Sequence, residues 1–218
     1  MWRTISVREV PRIDRQDRLA HVFLLEHDAP AFLRAHSNAA ANRLLRRCVS
    51  GDGISLHKDT RGKPQVPGSG VHLSLSHSGR CLVVAVGTVD LGVDIEYLRY
   101  PDKWPALLRW IAAPGERAEA ATGTDFLRVW TAKESLVKAL GSGLDYGLHR
   151  LPVPVLDSPA YRRVRVGDGA YWLRPLPAWK DMVACLALER PCAVQTFFVT
   201  DLLRSLAPVS SSTPPFER

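Results

Sequence analysis

The feature that most constrains the fold is a short apolar run with two regularly spaced acids, followed by a helical run with an acid and a lysine. The first run is GVDIE at 92–96, and the second is WTAKESLVK at 130–138. Residues two apart on a strand share a face, so Asp94 and Glu96 would point the same way. Residues four apart share a helix face, which sets Glu134 beside Lys138. If strand and helix pack together, three carboxylates and a lysine converge at a site suited to a hard divalent ion and a phosphorylated substrate.

The remaining segments predict an α+β fold. A helix is predicted over 31–50, because Ala, Leu and Arg are good helix formers, with Gly51 and Gly53 at its end. Residues 101–121 are predicted as helix, turn and helix, and 125–140 as a helix that stops at Gly141. Strands are predicted at 22–25, 71–76 (with one solvent-facing side), 82–86, 91–96, 161–166, 170–173, 182–188 and 194–199.

Each chemical feature also has a plain structural explanation. Asp94 and Glu96 could lie on a solvated strand face. Glu134 and Lys138 could form an ordinary helix ion pair, worth about 0.3–0.5 kcal/mol. Lys133 falls inside the apolar arc of its helix, which suggests either a buried anionic partner or an ammonium group that reaches solvent.

Size and composition indicate a soluble globular protein. The 218 residues can bury a core in one or two domains, and the net charge of +7 favours an anionic ligand or an acidic partner. The four cysteines lack metal-binding spacing, so we expect them to be reduced in a cytoplasmic protein. We expect no signal peptide and no membrane span, and residues 208–218 are predicted to form a disordered tail.

Four motifs stand in a specific order. RGKP begins at Arg61, LSLSHSGR at Leu73, LGVDIE at Leu91, and F-x-x-x-W-T-x-K-E-S-x-x-K-x-x-G-x-G-L at Phe126. As an ordered set, covering residues 61–144, they resemble the surfactin-synthetase type of 4′-phosphopantetheinyl transferase. The chain departs from many relatives in having Leu73-Ser74 in place of Phe-Asn, and Arg61 where an aromatic residue often precedes GKP.

The resemblance implies a monomer built from two similar α/β halves, with the active site in the cleft between them. The expected division places the GKP and SHS motifs in an N-terminal half, residues 1–97, on the coenzyme A nucleotide side. The W-x-x-K-E-S helix would belong to a C-terminal half, residues 98–207.

The resemblance also implies a reaction and a role for each motif residue. Enzymes of this family move the phosphopantetheine arm of coenzyme A onto a carrier-protein serine. Asp94, Glu96 and Glu134 would hold Mg²⁺ on the pyrophosphate. Of the two catalytic residues, Glu134 would accept the serine proton, directly or through a metal-bound water, and Lys138 would protonate the leaving phosphate or only neutralise its charge. The residues expected to contact coenzyme A are Lys63, Pro64, Ser76, His77 and, in a structural or phosphate-side role, Lys133.

The expected partner is an acyl or peptidyl carrier protein, and we expect neither nucleic acid nor membrane as a partner. A basic nucleic-acid-binding module would interleave Lys and Arg with exposed aromatic residues, a pattern that is absent here. A Mg²⁺-dependent phosphohydrolase would explain the carboxylates but not the other motifs. A catalytically inactive binder of carrier protein and coenzyme A is the remaining alternative, although the expected acids and lysines are all present.

Overall fold

The computed structural model of the protein describes residues 1–49, 54–99, 102–113, 116, 120–143 and 146–206. The predicted helix end at Gly51 and Gly53, most of the predicted second helix near residue 116 and the predicted tail at 208–218 lie outside these residues. None of the described helices combines the length and the apolar character needed to cross a lipid bilayer.

The described residues contain eleven strands and three α-helices. The strands are β1 (Arg3–Ile5), β2 (Leu19–Glu26), β3 (His57–Lys58), β4 (Pro64–Gln65), β5 (His72–Ser78), β6 (Cys81–Gly87), β7 (Leu91–Tyr97), β8 (Arg162–Val166), β9 (Gly169–Pro175), β10 (Met182–Leu188) and β11 (Ala193–Val199). The helices are α1 (Pro30–Cys48), α2 (Trp104–Ile111) and α3 (Gly123–Leu140). The predicted α+β class is confirmed, and the predicted strands of 82–86, 91–96 and 182–188 match β6, β7 and β10.

The strands form two main sheets, which exchange strands along the sequence. The first has the order β1-β11-β2-β6-β5, and the second has the order β7-β10-β9-β8. In the first sheet β11 lies parallel to both β1 and β2, and the other pairs are antiparallel. Strand β7, from the predicted N-terminal half, joins the second sheet, whereas β11, from the predicted C-terminal half, joins the first. The division at residue 97 stays a prediction.

The two sheets pack face to face, and each carries a long helix on its outer side. Helix α1 covers β5 and β6, and α3 covers β7 and β10. The core between the sheets includes Val22 and Val83 of the first sheet and Val93, Ile95 and Leu186 of the second. Because strand side chains alternate, burial of Val93 and Ile95 in this core turns the side chains of Asp94 and Glu96 toward α3.

Strand β5 differs from its prediction in one respect. Its polar face was expected to contact solvent, but Ser74 and Ser76 are only 4% and 9% exposed. These serines pack against β7, where Ser74 Oγ accepts a hydrogen bond from the Val93 amide at 3.0 Å. Side-chain hydroxyls thus connect the edge strands of the two sheets, and the polar residues are satisfied by protein rather than by water.

Candidate active site

A close contact between α3 and β7 brings the predicted strand and helix motifs together. Gly92 lies directly under the helix, and a Cβ atom there would stand 2.1 Å from the Ser135 carbonyl oxygen and 2.4 Å from the Ala139 amide nitrogen. Only glycine leaves room for this approach. The helix carries Glu134 and Lys138 past the next residues of the strand, so the packing assumed from the sequence is observed.

Asp94 lies at the centre of the site. Its Oδ1 atom accepts a hydrogen bond from Ser76 Oγ at 2.7 Å and lies 2.6 Å from Lys138 Nζ. The Asp94 side chain is 5% exposed, and its second oxygen, Oδ2, is buried without a hydrogen-bond partner in the described structure. A buried anionic oxygen without a donor is energetically costly, so this atom is suited to a cation or to a donor from a ligand.

Glu96 and Glu134 complete a carboxylate cluster with Asp94. Ser78 Oγ donates to Glu96 Oε2 at 2.7 Å. Burial raises the pKa of Glu96; the hydrogen bond from Ser78 opposes this rise and the charge of Asp94 adds to it. Burial also raises the pKa of Glu134, and Asp94 again adds to the rise. The three acids therefore interact electrostatically, and a cation would relieve their repulsion.

Among the described residues, no group of three or more His, Cys, Asp or Glu side chains is arranged to hold a metal ion as it stands. Lys138 instead lies on Asp94, where it supplies the positive charge nearest to the cluster. The carboxylates fit a hard cation through their oxygen chemistry and the unpartnered Oδ2 atom of Asp94. The metal assignment stays a prediction.

Beside the cluster lies a cavity of about 290 Å³, called here the basic cavity. Glu134 and Lys138 line it from α3, and Lys63 and Pro64 line it from the GKP segment. Arg61, which begins the RGKP motif, also contributes to its wall, together with two polar side chains that sequence reasoning had not assigned, Asn38 and Lys58. The concentration of positive charge suits an anionic ligand.

Lys63 is held by two contacts. Its Nζ atom lies 2.7 Å from Asp90 Oδ1 and donates to the Ala139 carbonyl oxygen at 2.5 Å. Asp90 also lies 3.4 Å from His72 Nδ1. An ammonium group has three N–H donors, so two fixed contacts leave one for a ligand in the basic cavity. Sequence reasoning missed Asp90, because nothing in the sequence indicates that it meets a lysine 27 residues earlier.

Ser76 and His77 lie on opposite faces of β5. Ser76 is directed to Asp94, whereas His77 is exposed and follows the alternation of the strand to the other side. The structure therefore brings Ser76, but not His77, into contact with the carboxylate cluster. Ser78 was also missed as a site residue, although its spacing from Ser76 gave a usable signal, since residues two apart share a strand face.

Lys133 does not line the basic cavity. It is 0% exposed, and its Nζ atom lies 2.8 Å from Glu116 Oε2 and donates to the carbonyl oxygens of Leu148 and Leu151. These partners occupy its three donors, which leaves none for a phosphate. The buried anionic partner suggested by the apolar helix face is therefore Glu116, and the contacts favour the structural role for Lys133 over coenzyme A binding.

Comparison with known proteins finds similarity to phosphopantetheinyl transferases. Residues 90–178 match the family model of the 4′-phosphopantetheinyl transferase superfamily, a segment that contains β7 and α3. The chain is 31% identical over 158 residues to the 4′-phosphopantetheinyl transferase psf-1 of Bacillus pumilus, covering 66% of this chain and 55% of that protein. It is 34% identical over 124 residues to a 4′-phosphopantetheinyl transferase of Bacillus subtilis, covering 54% of each.

A third relative, the 4′-phosphopantetheinyl transferase Sfp of Bacillus subtilis strain 168, is 26% identical over 171 residues, covering 67% of this chain and 76% of that protein. The chain spans about half the length of the first two relatives. The chain is therefore similar to 4′-phosphopantetheinyl transferases, in agreement with the resemblance that the ordered sequence motifs carry.

Proposed function

We propose that this protein transfers the 4′-phosphopantetheine arm of coenzyme A to a serine of an apo carrier protein and releases adenosine 3′,5′-bisphosphate. The observation that carries this proposal is the meeting of Asp94, Glu96, Glu134 and Lys138 at the crossing of β7 and α3, beside a basic cavity. A pyrophosphate is the ligand whose charge suits both the cavity and a cation bound by the acids.

Three carboxylates, one of which has a buried oxygen without a hydrogen-bond partner, support a site for Mg²⁺. Asp94, Glu96 and Glu134 would hold it, and when bound it would neutralise charge that develops on the pyrophosphate oxygens. Lys138 now compensates the charge of Asp94 by direct contact. A bound cation would compensate that charge instead, which would leave Lys138 available for the ligand. The hydroxyl groups of Ser76 and Ser78 keep Asp94 and Glu96 oriented.

Glu134 would act as the general base. It accepts the proton of the carrier serine, whose oxygen attacks the β-phosphorus of coenzyme A. The bond from that phosphorus to the bridging oxygen breaks, and Lys138 donates a proton to the leaving bisphosphate or neutralises its charge. A raised pKa fits this role, because a stronger base accepts a proton more readily provided that it is ionised at the working pH.

The basic cavity would receive the nucleotide half of coenzyme A. Lys63 has one N–H free for a phosphate oxygen, and Lys58 and Arg61 add positive charge to the wall. His77, on the exposed face of β5, would contact the 3′-phosphate at the edge of this region. Its expected signature is a higher KM for coenzyme A in His77→Ala, with little change for 3′-dephospho-coenzyme A.

The partner would be a small acidic carrier domain, which the net charge of +7 favours. We further propose a monomer whose two α/β halves enclose the site. The pairing of one long outer helix with each sheet supports this two-part architecture. The exchange of β7 and β11 would join the two parts into one folding unit.

The test is the intact mass of an apo carrier domain after incubation with the protein, coenzyme A and Mg²⁺. A panel of acyl, peptidyl and aryl carriers covers the open choice of partner. We expect a gain of one phosphopantetheine that requires Mg²⁺ and the carrier serine. No gain across the panel, from folded protein that binds coenzyme A, would favour the inactive binder. Release of phosphate from coenzyme A without carrier would favour the phosphohydrolase.

Glu134→Gln tests the base within the same assay. We expect kcat to fall by about 10²–10⁴-fold, the usual contribution of a general base. Asp168→Asn is the matched control, because Asp168 is exposed in the β8–β9 turn and lies outside the site. Near-normal turnover in Glu134→Gln at saturating Mg²⁺ would exclude Glu134 as the base.

A further inference from the structure

A second cavity lies between the N-terminal segment of the chain and the C-terminal half of α1. It measures about 540 Å³ and is called here the arginine cleft. Five cationic side chains and one apolar side chain form its wall, namely Arg8, Arg12, Arg43, Arg46, Arg47 and Val10. Small-molecule sites of about 300–1,000 Å³ are usually lined by apolar groups. A wall made almost wholly of guanidinium groups indicates an anionic ligand instead.

Buried contacts fix the backbone on both sides of the arginine cleft. Val7, Val10 and Ile13 of the N-terminal segment pack in the same core cluster as Leu44 of α1. The Ile13 amide also donates to the Cys48 carbonyl oxygen at 2.8 Å, which ties this segment to the end of the helix. The arginines stand between these anchored residues, so the fold itself holds them together around the cleft.

Nearby acids do not neutralise the charges of the arginine cleft. Within the part of the chain that the structure describes, no carboxylate forms an ion pair with Arg8, Arg46 or Arg47. Glu9 accepts a hydrogen bond from a backbone amide of its own turn at 2.7 Å, and α1 contains no acidic residue. The helix dipole favours cations in a last turn, which explains Arg46 and Arg47 but not the arginines that line the cleft from the N-terminal segment.

The arginine cleft is separate from the basic cavity. Helix α1 contributes Asn38 to the basic cavity, whereas it contributes Arg43, Arg46 and Arg47 to the cleft. At roughly 100° per residue, Arg43 and Arg47 lie about 140° and 180° around the helix axis from Asn38. The two cavities share none of their described lining residues. A ligand in the cleft would therefore leave the proposed coenzyme A site accessible.

We propose that the arginine cleft binds a small molecule that carries a chain of phosphates, of which inorganic triphosphate is the simplest. A guanidinium group binds phosphate oxygens through two parallel hydrogen bonds, so arginine suits this anion better than lysine does. A short phosphate chain also concentrates several negative charges in a small volume, whereas an acidic peptide supplies one carboxylate per side chain. Since no aromatic ring lines the described wall, the phosphates and not a base are recognised.

The first experiment measures the Kd of inorganic triphosphate for the full chain by isothermal titration calorimetry. Arg46→Gln/Arg47→Gln removes two guanidinium groups of the cleft, and the Kd should rise about tenfold or more. Arg162→Gln/Arg163→Gln is the matched control, because it changes the net charge equally at two exposed positions of β8 outside the cleft. Its Kd should equal that of the wild type. Equal weakening in both double variants would reflect only the lost net charge and would overturn the inference.

Arginine modification of the wild-type chain locates the anion without any substitution. Phenylglyoxal reacts with accessible arginines, and peptide mass spectrometry identifies the modified positions. Triphosphate should protect Arg8, Arg46 and Arg47 and leave the reaction of Arg162 unchanged. Protection confined to Arg61, which lines the basic cavity, would place the anion there and overturn the inference.

Two further ligands distinguish the sources of the same phosphate chemistry. Adenosine triphosphate should protect Arg46 and Arg47 at concentrations similar to those of inorganic triphosphate, because the wall offers nothing for the base. Vesicles that contain phosphatidic acid present single phosphates on a membrane surface and should protect neither residue. Protection by the vesicles without protection by inorganic triphosphate would assign the cleft to a lipid headgroup and overturn the inference.

Discussion

Replacement of Lys133 by methionine is expected to destabilise the protein strongly without altering its ligand contacts. Lys133 is fully buried, and Met has a similar length and no charge. The substitution leaves the Glu116 carboxylate buried beside an apolar group, although the Ala113 and Val153 amides still donate to it. It also removes the donors for the carbonyl oxygens of Leu148 and Leu151.

The size of the effect follows from this contact set. Breaking a buried ion pair by removing one partner costs about 3–5 kcal/mol, because a charge remains without compensation. Domains of this size have free energies of unfolding of about 5–15 kcal/mol, so the change is a large fraction of the total. At about 2–4 °C per kcal/mol for 150–250 residues, the Tm should fall by roughly 6–20 °C.

Chemical denaturation and thermal melting of Lys133→Met measure this loss directly. In the double variant with Glu116→Gln, an uncharged side chain still accepts from the Ala113 and Val153 amides, so part of the stability should return. Lys180→Met is the control, since Lys180 pairs with Glu26 at an exposed position and should cost less than about 1 kcal/mol. A loss below 1 kcal/mol in Lys133→Met, or no recovery in the double variant, would refute the buried-pair argument.

Three further predictions concern other parts of the molecule. Gly92→Ala should cost about 1–3 kcal/mol and lower kcat, because its Cβ would meet the Ser135 carbonyl oxygen at 2.1 Å; an unchanged Tm would contradict the close contact. Burial lowers the pKa of His21 to about 4, below the 6.5 of an exposed histidine. As the pH falls, this histidine is therefore protonated in the unfolded chain before it is protonated in the folded protein. Stability should fall by roughly 3 kcal/mol between pH 6.5 and pH 4, and His21→Phe should flatten this dependence in urea titrations. Asp90→Asn should raise the KM for coenzyme A severalfold with kcat retained, because Lys63 loses its ionic contact; a matching loss of kcat would point to a wider structural effect.

Local periodicity predicted the parts of the site that lie on single elements. The apolar pattern of 125–140 gave α3 to within two residues of its start, and alternation in β7 correctly separated Asp94 and Glu96 from the buried Val93 and Ile95. These predictions succeed because burial of one face dictates the pattern within a helix or strand.

The contacts between distant elements were not predictable in the same way. Alternation shows that Ser74 and Ser76 share a face, but it does not show whether water or β7 covers that face. Similarly, the apolar surroundings of Lys133 indicated a partner without identifying Glu116. In both cases the deciding contact joins elements far apart in sequence, and a single sequence contains no periodic signal for it.

The position of β11 has a consequence for synthesis of the chain. This strand lies between β1 and β2, and its ladder hydrogen bonds join it to residues 3–5 and 19–24, which are synthesised far earlier. The first sheet therefore cannot close until residue 199 has left the ribosome, although β2, β5 and β6 are available much earlier. Until then one edge of β2 is exposed to other chains, so the nascent protein depends on rapid completion or on a chaperone at that edge.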